Sequence, residues 1–380
     1  MRRLCFFLFL IILVQPSLAD NNLTFVSTWQ RIGLFEGPGI TYWQTGWLNA
    51  GVEVTLLERN VAGTWVHVQR VDTSGDVLLD GWVMSAFFNL PDDFDFGSLP
   101  VSSLPDADID NVNSQSMSQL FSVPVIPEIS LAMQEVYQRG VEAGNHPNVI
   151  TKVGDSLMQN DEYLQVMSQP NYDLGGYVFL TQTVEFYRES AGQPSVAARL
   201  GLTTYVVFDP MWADPAQCEA GESPLNCEYR LKRPSVALIM FGANDVQHMT
   251  DAIFDEQMRL LVEETLAQNI IPVLFTFSYH PDNEFWWQAI NFNLRLVQIA
   301  SDYEVPLVNL WSAARALPEF GLDVDRIHLK NSGVDWLDFT NGREARYGVT
   351  LQNLLTIRVL HEIRRSIPYE IDSPDNATDF

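Results

Sequence analysis

Hydrophobic and polar positions alternate along residues 22–90 in short stretches that are separated by glycine-containing turns. Two clear examples are Gly51–Leu57 and Gly63–Val68, in which β-branched and aromatic residues recur at every second position. A period of two is typical of β-strands that have one buried face. The pattern therefore predicts a small all-β barrel over residues 22–90.

From about residue 128 onward, short apolar runs alternate with longer stretches in which apolar residues recur at helical spacing. The predicted strands are 149–153, 203–208, 235–241, 270–277 and 305–310. The predicted helices are 131–139, 178–189, 253–268, 284–302 and 349–365. Buried strands that alternate with amphipathic helices are typical of a parallel sheet covered by helices on both faces. We therefore expect a three-layer α/β/α domain over residues 128–367.

The two predicted domains are separated by an acidic stretch. Residues 91–127 carry six Asp among Ser, Pro and Asn, and the next basic residue is Arg139. Such a composition favours a solvated linker, and the spacing lacks the Gly and the terminal Glu of an EF-hand calcium loop. The last residues, 368–380, are predicted to form a polar tail.

The first 19 residues have the pattern of a signal peptide. Two Arg precede an apolar run over residues 4–14, and Ser17-Leu18-Ala19 provides small residues for cleavage after Ala19. The apolar run is shorter than the ~20 residues that a membrane-spanning helix needs. We therefore expect a secreted or extracytoplasmic protein, at the cell surface or in the periplasm, without stable membrane insertion after cleavage.

Cysteine content agrees with that compartment. Apart from the Cys within the signal segment, the chain has only Cys218 and Cys227, which bracket a polar loop. In an oxidising compartment such a pair predicts a disulfide. The alternative is a two-ligand metal site, but no His lies nearby to complete it, so we predict no metal.

The charge excludes several partners. The chain has 48 Asp+Glu against 22 Lys+Arg, a formal net charge of −26, and no basic stripe. Nucleic acid is therefore not expected as a partner, because its phosphates would be repelled. The same charge favours neutral ester substrates over polyanionic ones.

Four segments with chemically active side chains lie where a parallel sheet places its functional residues, at the carboxyl ends of strands. Ser156 stands in Gly-Asp-Ser-Leu directly after the first predicted strand of the sheet, and Asn244 stands in Gly-Ala-Asn-Asp directly after the third. Gly201 shortly precedes the second strand. Asp325 and His328 form Asp-x-x-His before the last helix.

These residues are the set that acyl transfer needs. Ser156 would attack an ester carbonyl while His328 removes its proton, and Asp325 would orient the imidazole and stabilise its charged form. The backbone N–H groups of Ser156 and Gly201 and the side-chain amide of Asn244 would form an oxyanion hole. This chemistry requires no metal and no cofactor.

In their order, the four segments resemble the sequence blocks of SGNH hydrolases, also called GDSL esterases or lipases. The resemblance covers roughly residues 145–367 and implies an SGNH/flavodoxin-like fold with a serine esterase site. The residues matched to the blocks are Ser156, Gly201, Asn244, Asp325 and His328. The chain departs from the usual pattern after His328, where residues 329–348 form a longer segment that could shape or cover the pocket.

The N-terminal stretch resembles bacterial Src-homology-3-like domains. The resemblance lies in Gly-Pro-Gly at 37–39, Gly-x-Trp-x-x-Val at 63–68 and Gly-Trp-Val at 81–83. It implies an SH3-like barrel that could bind a cell-wall or other surface ligand.

Several assignments have alternatives in the sequence. Ser156 could serve only as a helix N-cap, Gly175-Gly176 could replace Gly201, and His280 is a second candidate for the base. His248 is expected to be a loop residue. Trp286 and Trp287 could bind substrate, or they could form the buried face of helix 284–302. We prefer the buried role.

The sequence therefore predicts a secreted serine esterase. Its substrate would be a small-molecule or glycan ester with an acetyl or short acyl group, linked to a carbohydrate or to a cell-wall polymer. Two alternatives remain: an O-acyltransferase on the same scaffold, and a non-catalytic cell-surface binding protein.

Overall fold

The structure is a computed structural model that describes residues 24–26, 31–39, 42, 44–49, 51–60, 65–85, 88, 96–104 and 119–367. The predicted signal peptide (1–19) and polar tail (368–380) lie outside the described residues. The same holds for most of the predicted linker, including residues 105–118.

The N-terminal part of the chain forms a six-stranded antiparallel sheet with the strand order β1-β4-β5-β6-β2-β3. Its strands are β1 (Thr24–Val26), β2 (Arg31–Phe35), β3 (Gln44–Asn49), β4 (Glu53–Arg59), β5 (Trp65–Val71) and β6 (Val77–Met84). Val54 and Leu56 are buried at alternate positions of β4, together with Trp65 and Trp82. The alternation that predicted β-strands therefore reflects one buried face, whereas an SH3-like closed barrel remains a prediction.

Two side chains in the described parts of the predicted linker 91–127, Leu99 and Leu120, are buried, whereas most of residues 97–104 are exposed. At one end, the Arg59 N–H donates to Pro100 O at 2.9 Å and Leu99 is buried. At the other end, Leu120 is buried and its carbonyl accepts a hydrogen bond from Asn309 Nδ2 at 2.9 Å. The acidic composition therefore does not exclude individual packed positions within the predicted linker.

Four parallel strands form the central sheet of the second part, in the order β11-β10-β9-β7. They are β7 (His146–Gly154), β9 (Pro234–Met240), β10 (Ile271–Phe275) and β11 (Leu307–Val308). Every residue of β9 and β10 is buried. Both faces of these strands are therefore covered, as expected for a parallel sheet between helices. A separate parallel pair joins β8 (Tyr172–Asp173) to β12 (Leu337–Asp338).

The helices lie between and after these strands. They are α1 (Leu131–Glu142), α2 (Ser156–Gln159), α3 (Thr181–Ala191), α4 (Pro224–Lys232), α5 (Asp251–Ala267), α6 (Trp286–Tyr303), α7 (Leu310–Ala314) and α8 (Gly348–Ser366). Local sequence explains several of the starts: α4 begins with Pro224 after the N-cap Ser223, whose Oγ accepts from Asn226 N–H. Within the described residues, no helix combines the length and the apolar character that crossing a membrane requires.

The predicted strand 203–208 is wrong. Val206–Phe208 forms a short 3₁₀ helix, and Val207 N–H donates to Thr203 O at 3.1 Å. The Thr204 N–H and Oγ1 both donate to the carboxylate of Asp245. Because these tertiary hydrogen bonds use the backbone in a turn, they override the β-propensity of the Thr-Thr-Tyr-Val-Val run.

Cys218 and Cys227 form a disulfide, as the sequence predicted. Cys227 belongs to α4, so the bond attaches the preceding polar loop to that helix.

Candidate active site

Ser156 lies at the turn between β7 and α2, at the carboxyl end of the parallel sheet. Gly154 is required at this turn, because a Cβ on it would lie 2.3 Å from Met240 O. Asp155 is the N-cap of α2 and accepts from Leu157 N–H at 2.9 Å. The capping role considered for Ser156 is thus filled by Asp155, which leaves the serine hydroxyl available for other contacts.

A chain of two hydrogen bonds joins Ser156, His328 and Asp325. Ser156 Oγ lies 2.8 Å from His328 Nε2, and His328 Nδ1 lies 2.6 Å from Asp325 Oδ2. Since an ionised carboxylate can only accept, Nδ1 carries the proton and Nε2 of the neutral ring accepts from the serine hydroxyl. The geometry is that of a nucleophile, a base and an orienting acid.

The turn between Asp325 and His328 holds the acid in one orientation. Asp325 Oδ1 accepts from Ile327 N–H at 3.0 Å and from His328 N–H at 2.9 Å. Burial acts to raise the pKa of Asp325, but these backbone hydrogen bonds and the one from the His328 ring outweigh it and lower the pKa. Arg326 adopts a left-handed conformation with φ of 64° and pairs with Asp282 at 3.0 Å, which ties the turn to the loop after β10.

The segment that contains Gly201 runs beside the end of β7. Ala198 pairs with Gly154, and Arg199 N–H donates to Gly154 O at 3.2 Å. Gly201 has a φ of 76°, which favours glycine, and its N–H donates to no residue that the structure describes. Gly175, the other candidate, donates its N–H to Asp173 Oδ1 instead.

Asn244 supplies an unused donor. β9 neighbours β7 in the sheet, with Gly154 opposite Met240, so the loops that follow the two strands are adjacent. The Nδ2 atom of Asn244 is buried and has no hydrogen-bond partner among the described residues. A buried amide without a partner is rare in proteins and is often explained by a ligand.

Two buried acids, Asp155 and Asp245, connect these loops. Asp245 accepts from the Thr204 N–H at 2.8 Å and from the Gly242 N–H at 3.0 Å, and thereby links the Gly201 segment to the Asn244 loop. Burial raises the pKa of both carboxyls, that of Asp155 to about 7, and the neighbouring Asp245 adds to the shift in Asp155.

The sequence analysis did not assign a role to either acid. Their position could have suggested a role in the site, because each is next to a predicted site residue at the end of a buried strand. Their hydrogen bonds, however, depend on the fold.

The other histidines considered lie apart from this chain of hydrogen bonds. The reserve base His280 is 5% exposed, and its Nε2 lies 3.2 Å from Glu319 Oε2. Burial lowers the pKa of His280. His248 is exposed and follows the 3₁₀ helix Asp245–Gln247, as expected for a loop residue.

Trp286 and Trp287 are buried, in agreement with the role preferred from the sequence over contact with a substrate. Their exposed fractions are 1% and 9%, and the Trp286 ring packs near Trp311 and Phe320. Both residues belong to the buried face of α6 because large aromatic side chains fill the space between this helix and its neighbours.

The longer segment after His328 packs along the chain that follows α2. Glu162 accepts from Ser332 N–H at 2.7 Å and from Gly333 N–H at 3.0 Å. The parallel pair of β8 and β12 continues this contact. The segment 329–348 therefore borders the nucleophile side of the site, and its effect on substrate choice stays a prediction.

No protein-family model and no curated protein sequence matches the chain. Solved structures do match. An acetylxylan esterase from Geobacillus stearothermophilus is 16% identical over 56% of this chain and 93% of that chain, with a TM-score of 0.35. A lipase/acylhydrolase from Enterococcus faecalis is 20% identical over 57% and 95%, with a TM-score of 0.35. An α/β hydrolase from the metagenome of Lake Arreo, Spain, is 15% identical over 56% and 95%, with a TM-score of 0.37.

At these identities and TM-scores the likenesses do not assign a function to this chain. The function is therefore inferred from the geometry of the site itself.

Proposed function

We propose that the protein is a serine ester hydrolase. The observation that carries the proposal is the chain of hydrogen bonds from Ser156 Oγ through His328 to Asp325. In the reaction, Ser156 Oγ attacks the ester carbonyl while His328 Nε2 takes its proton and then gives it to the departing alcohol. In the second half of the reaction, His328 takes a proton from water as the water attacks the acyl-enzyme, and then returns a proton to Ser156 Oγ as the acid leaves. The lowered pKa of Asp325 keeps this carboxylate charged to stabilise the imidazolium.

The tetrahedral intermediate carries an oxyanion that needs donors. The Gly201 N–H and Asn244 Nδ2, which have no hydrogen-bond partner among the residues that the structure describes, support this role. So does the N–H of Ser156 at the first position of α2, which has no partner within the helix. Donors that are already in place stabilise the developing charge without reorganisation.

The exposure of the site supports a short acyl group on a large alcohol portion. The side chains of His328 and Asp325 are 41% and 48% exposed, so this side of the nucleophile is open to solvent. A glycan can approach an open site of this kind. We therefore propose that the substrate is an acetyl or short acyl ester linked to a carbohydrate or cell-wall polymer.

Hydrolysis of p-nitrophenyl acetate tests the activity. We expect turnover by the wild-type chain and a loss of about 10³-fold or more in Ser156→Ala, since the nucleophile is removed. Ser301→Ala, at an exposed position of α6, is the matched control and should keep the wild-type rate. Equal rates in Ser156→Ala and wild type would contradict the proposal.

We also propose that the protein is secreted. The signal-like pattern of residues 1–19 and the disulfide between Cys218 and Cys227 support this location. Mass spectrometry of the exported protein should find Asp20 as its first residue. An intact Met1 or a cytoplasmic product would contradict the proposal.

In a secreted protein, the N-terminal antiparallel sheet would present a surface to cell-wall or other extracellular ligands.

A further inference from the structure

A cavity of about 300 Å³ lies beside the helix that Ser156 begins and the segment that leads to Gly201, and Ser156 itself does not line it. One wall contains Gln159, the last residue of the helix that begins at Ser156. Gln159 follows Ser156 by three positions, so the two side chains lie on nearly the same helical face. The opposite wall contains Ala198 and Arg199, which pair with Gly154 and directly precede the Gly201 turn. The cavity volume is at the lower end of the range of about 300–1,000 Å³ for small-molecule sites.

Lys152 is a buried cation in the lining of this cavity. It is 4% exposed, and its Nζ makes no hydrogen bond or ion pair with a residue that the structure describes. The two oxygens of the buried acid Glu228 accept from Thr151 Oγ1 and from Val196 N–H, and its negative charge acts on Lys152 without a direct hydrogen bond or ion pair. Lys152 Nζ is not among the fully buried atoms that lack a partner, and Lys152 lines the cavity, so an anionic group bound there could pair with the ammonium.

The acids in the lining leave this positive charge available. The Asp214 carboxylate accepts from Ala216 N–H at 2.9 Å and from Gln217 Nε2 at 2.8 Å. Asp161 is exposed, so water and salt screen its charge, whereas the charge of Lys152 acts in a medium of low dielectric constant. A ligand with one negative charge fits this arrangement better than a polyanion, which the two Asp and the net charge of −26 would repel.

The remaining polar groups suit hydroxyl groups. The Gln159 amide oxygen accepts from Leu200 N–H, and Gln217 Nε2 donates to Asp214. Within the described part of the chain, the Gln159 NH₂ and the Gln217 side-chain oxygen have no hydrogen-bond partner. Side-chain amides of this kind offer both a donor and an acceptor to a polyhydroxylated ligand.

We propose that this cavity is a substrate subsite for a monosaccharide unit that carries one carboxylate, with the Lys152 ammonium as the partner of that carboxylate. The proposal rests on the proposed ester hydrolase function, because it places an acidic sugar of the glycan beside the acylated position. It concerns binding only, so its test does not depend on turnover.

Isothermal titration calorimetry with D-glucuronate, D-glucose and acetate tests the subsite in the full chain. We expect D-glucuronate to bind more tightly than the other two, and Lys152→Met to weaken it by about tenfold or more, since a charge-assisted hydrogen bond is lost. Lys330→Met is the matched control, because Lys330 is exposed and lies outside the cavity lining, whereas Lys232 acts on the charge of Lys152. The Lys330→Met variant should keep the wild-type affinity.

Three results would overturn the proposal: D-glucuronate binds wild type and Lys152→Met equally well, it binds wild type no better than D-glucose, or acetate binds as tightly as the sugar acid. None of them affects the hydrolase, which the Ser156→Ala comparison tests separately.

If Lys152→Met does not fold, the pH dependence of binding to the wild-type chain tests the proposal instead. Burial lowers the pKa of Lys152 to about 8, with opposing contributions from Glu228 and Asp161 and a further lowering by Lys232. Only the protonated amine pairs with a carboxylate, so the affinity for D-glucuronate should fall as the pH rises through this pKa, while that for D-glucose stays constant. A D-glucuronate affinity that does not change across this pKa would overturn the proposal.

Discussion

At the scale of single residues, the proposed oxyanion hole depends most on Asn244. Its Nδ2 is buried without a partner among the described residues. Leaving such a donor unpaired costs about 1–3 kcal/mol in the free enzyme. In the proposed reaction, that cost would be recovered when a negatively charged oxygen forms beside Nδ2, so the interaction would be stronger in the transition state than in the ground state.

Replacing Asn244 by Ala should therefore lower kcat by about 10²–10³-fold and leave KM little changed, because the lost hydrogen bond belongs to the transition state. Steady-state hydrolysis of p-nitrophenyl acetate measures both constants. Asn171→Ala removes an exposed amide and serves as the control. A kcat for Asn244→Ala within about twofold of wild type would remove Asn244 from the oxyanion hole.

At the scale of elements, the sequence was most informative where a strand is buried on both faces. β9 and β10 were predicted nearly to their ends because their residues form unbroken apolar runs. The prediction failed at residues 203–208, where an equally β-like sequence forms a turn that is held by Asp245. β-Propensity describes how well a residue fits a strand, but it contains no information about the carboxylate of Asp245, which is distant in sequence and accepts hydrogen bonds from Thr204.

The same limit applies to the helix at Trp286 and Trp287. Its periodicity predicted α6 correctly, yet the order of side chains along a helix does not state which neighbours cover it. Trp311 and Phe320, which pack near Trp286, come from later parts of the chain.

At the scale of the whole molecule, the candidate site joins residues that are far apart in the sequence. Ser156 and His328 are 172 positions apart, and the sequence predicted their meeting only because both lie where strand ends and the last helix converge. The roles of Lys152, Asp155 and Asp245 could not be predicted in this way. They depend on burial and on which partners are missing, and both are properties of the folded chain.

The central claim is that Ser156 is a nucleophile activated by His328. Labelling of the folded chain with a fluorophosphonate probe, followed by peptide mass spectrometry, tests it most directly, because such probes react with activated serines. We expect one adduct, on Ser156, that is absent from Ser156→Ala and strongly reduced in His328→Ala. An unlabelled wild-type chain, or an adduct on another serine that persists in Ser156→Ala, would contradict it.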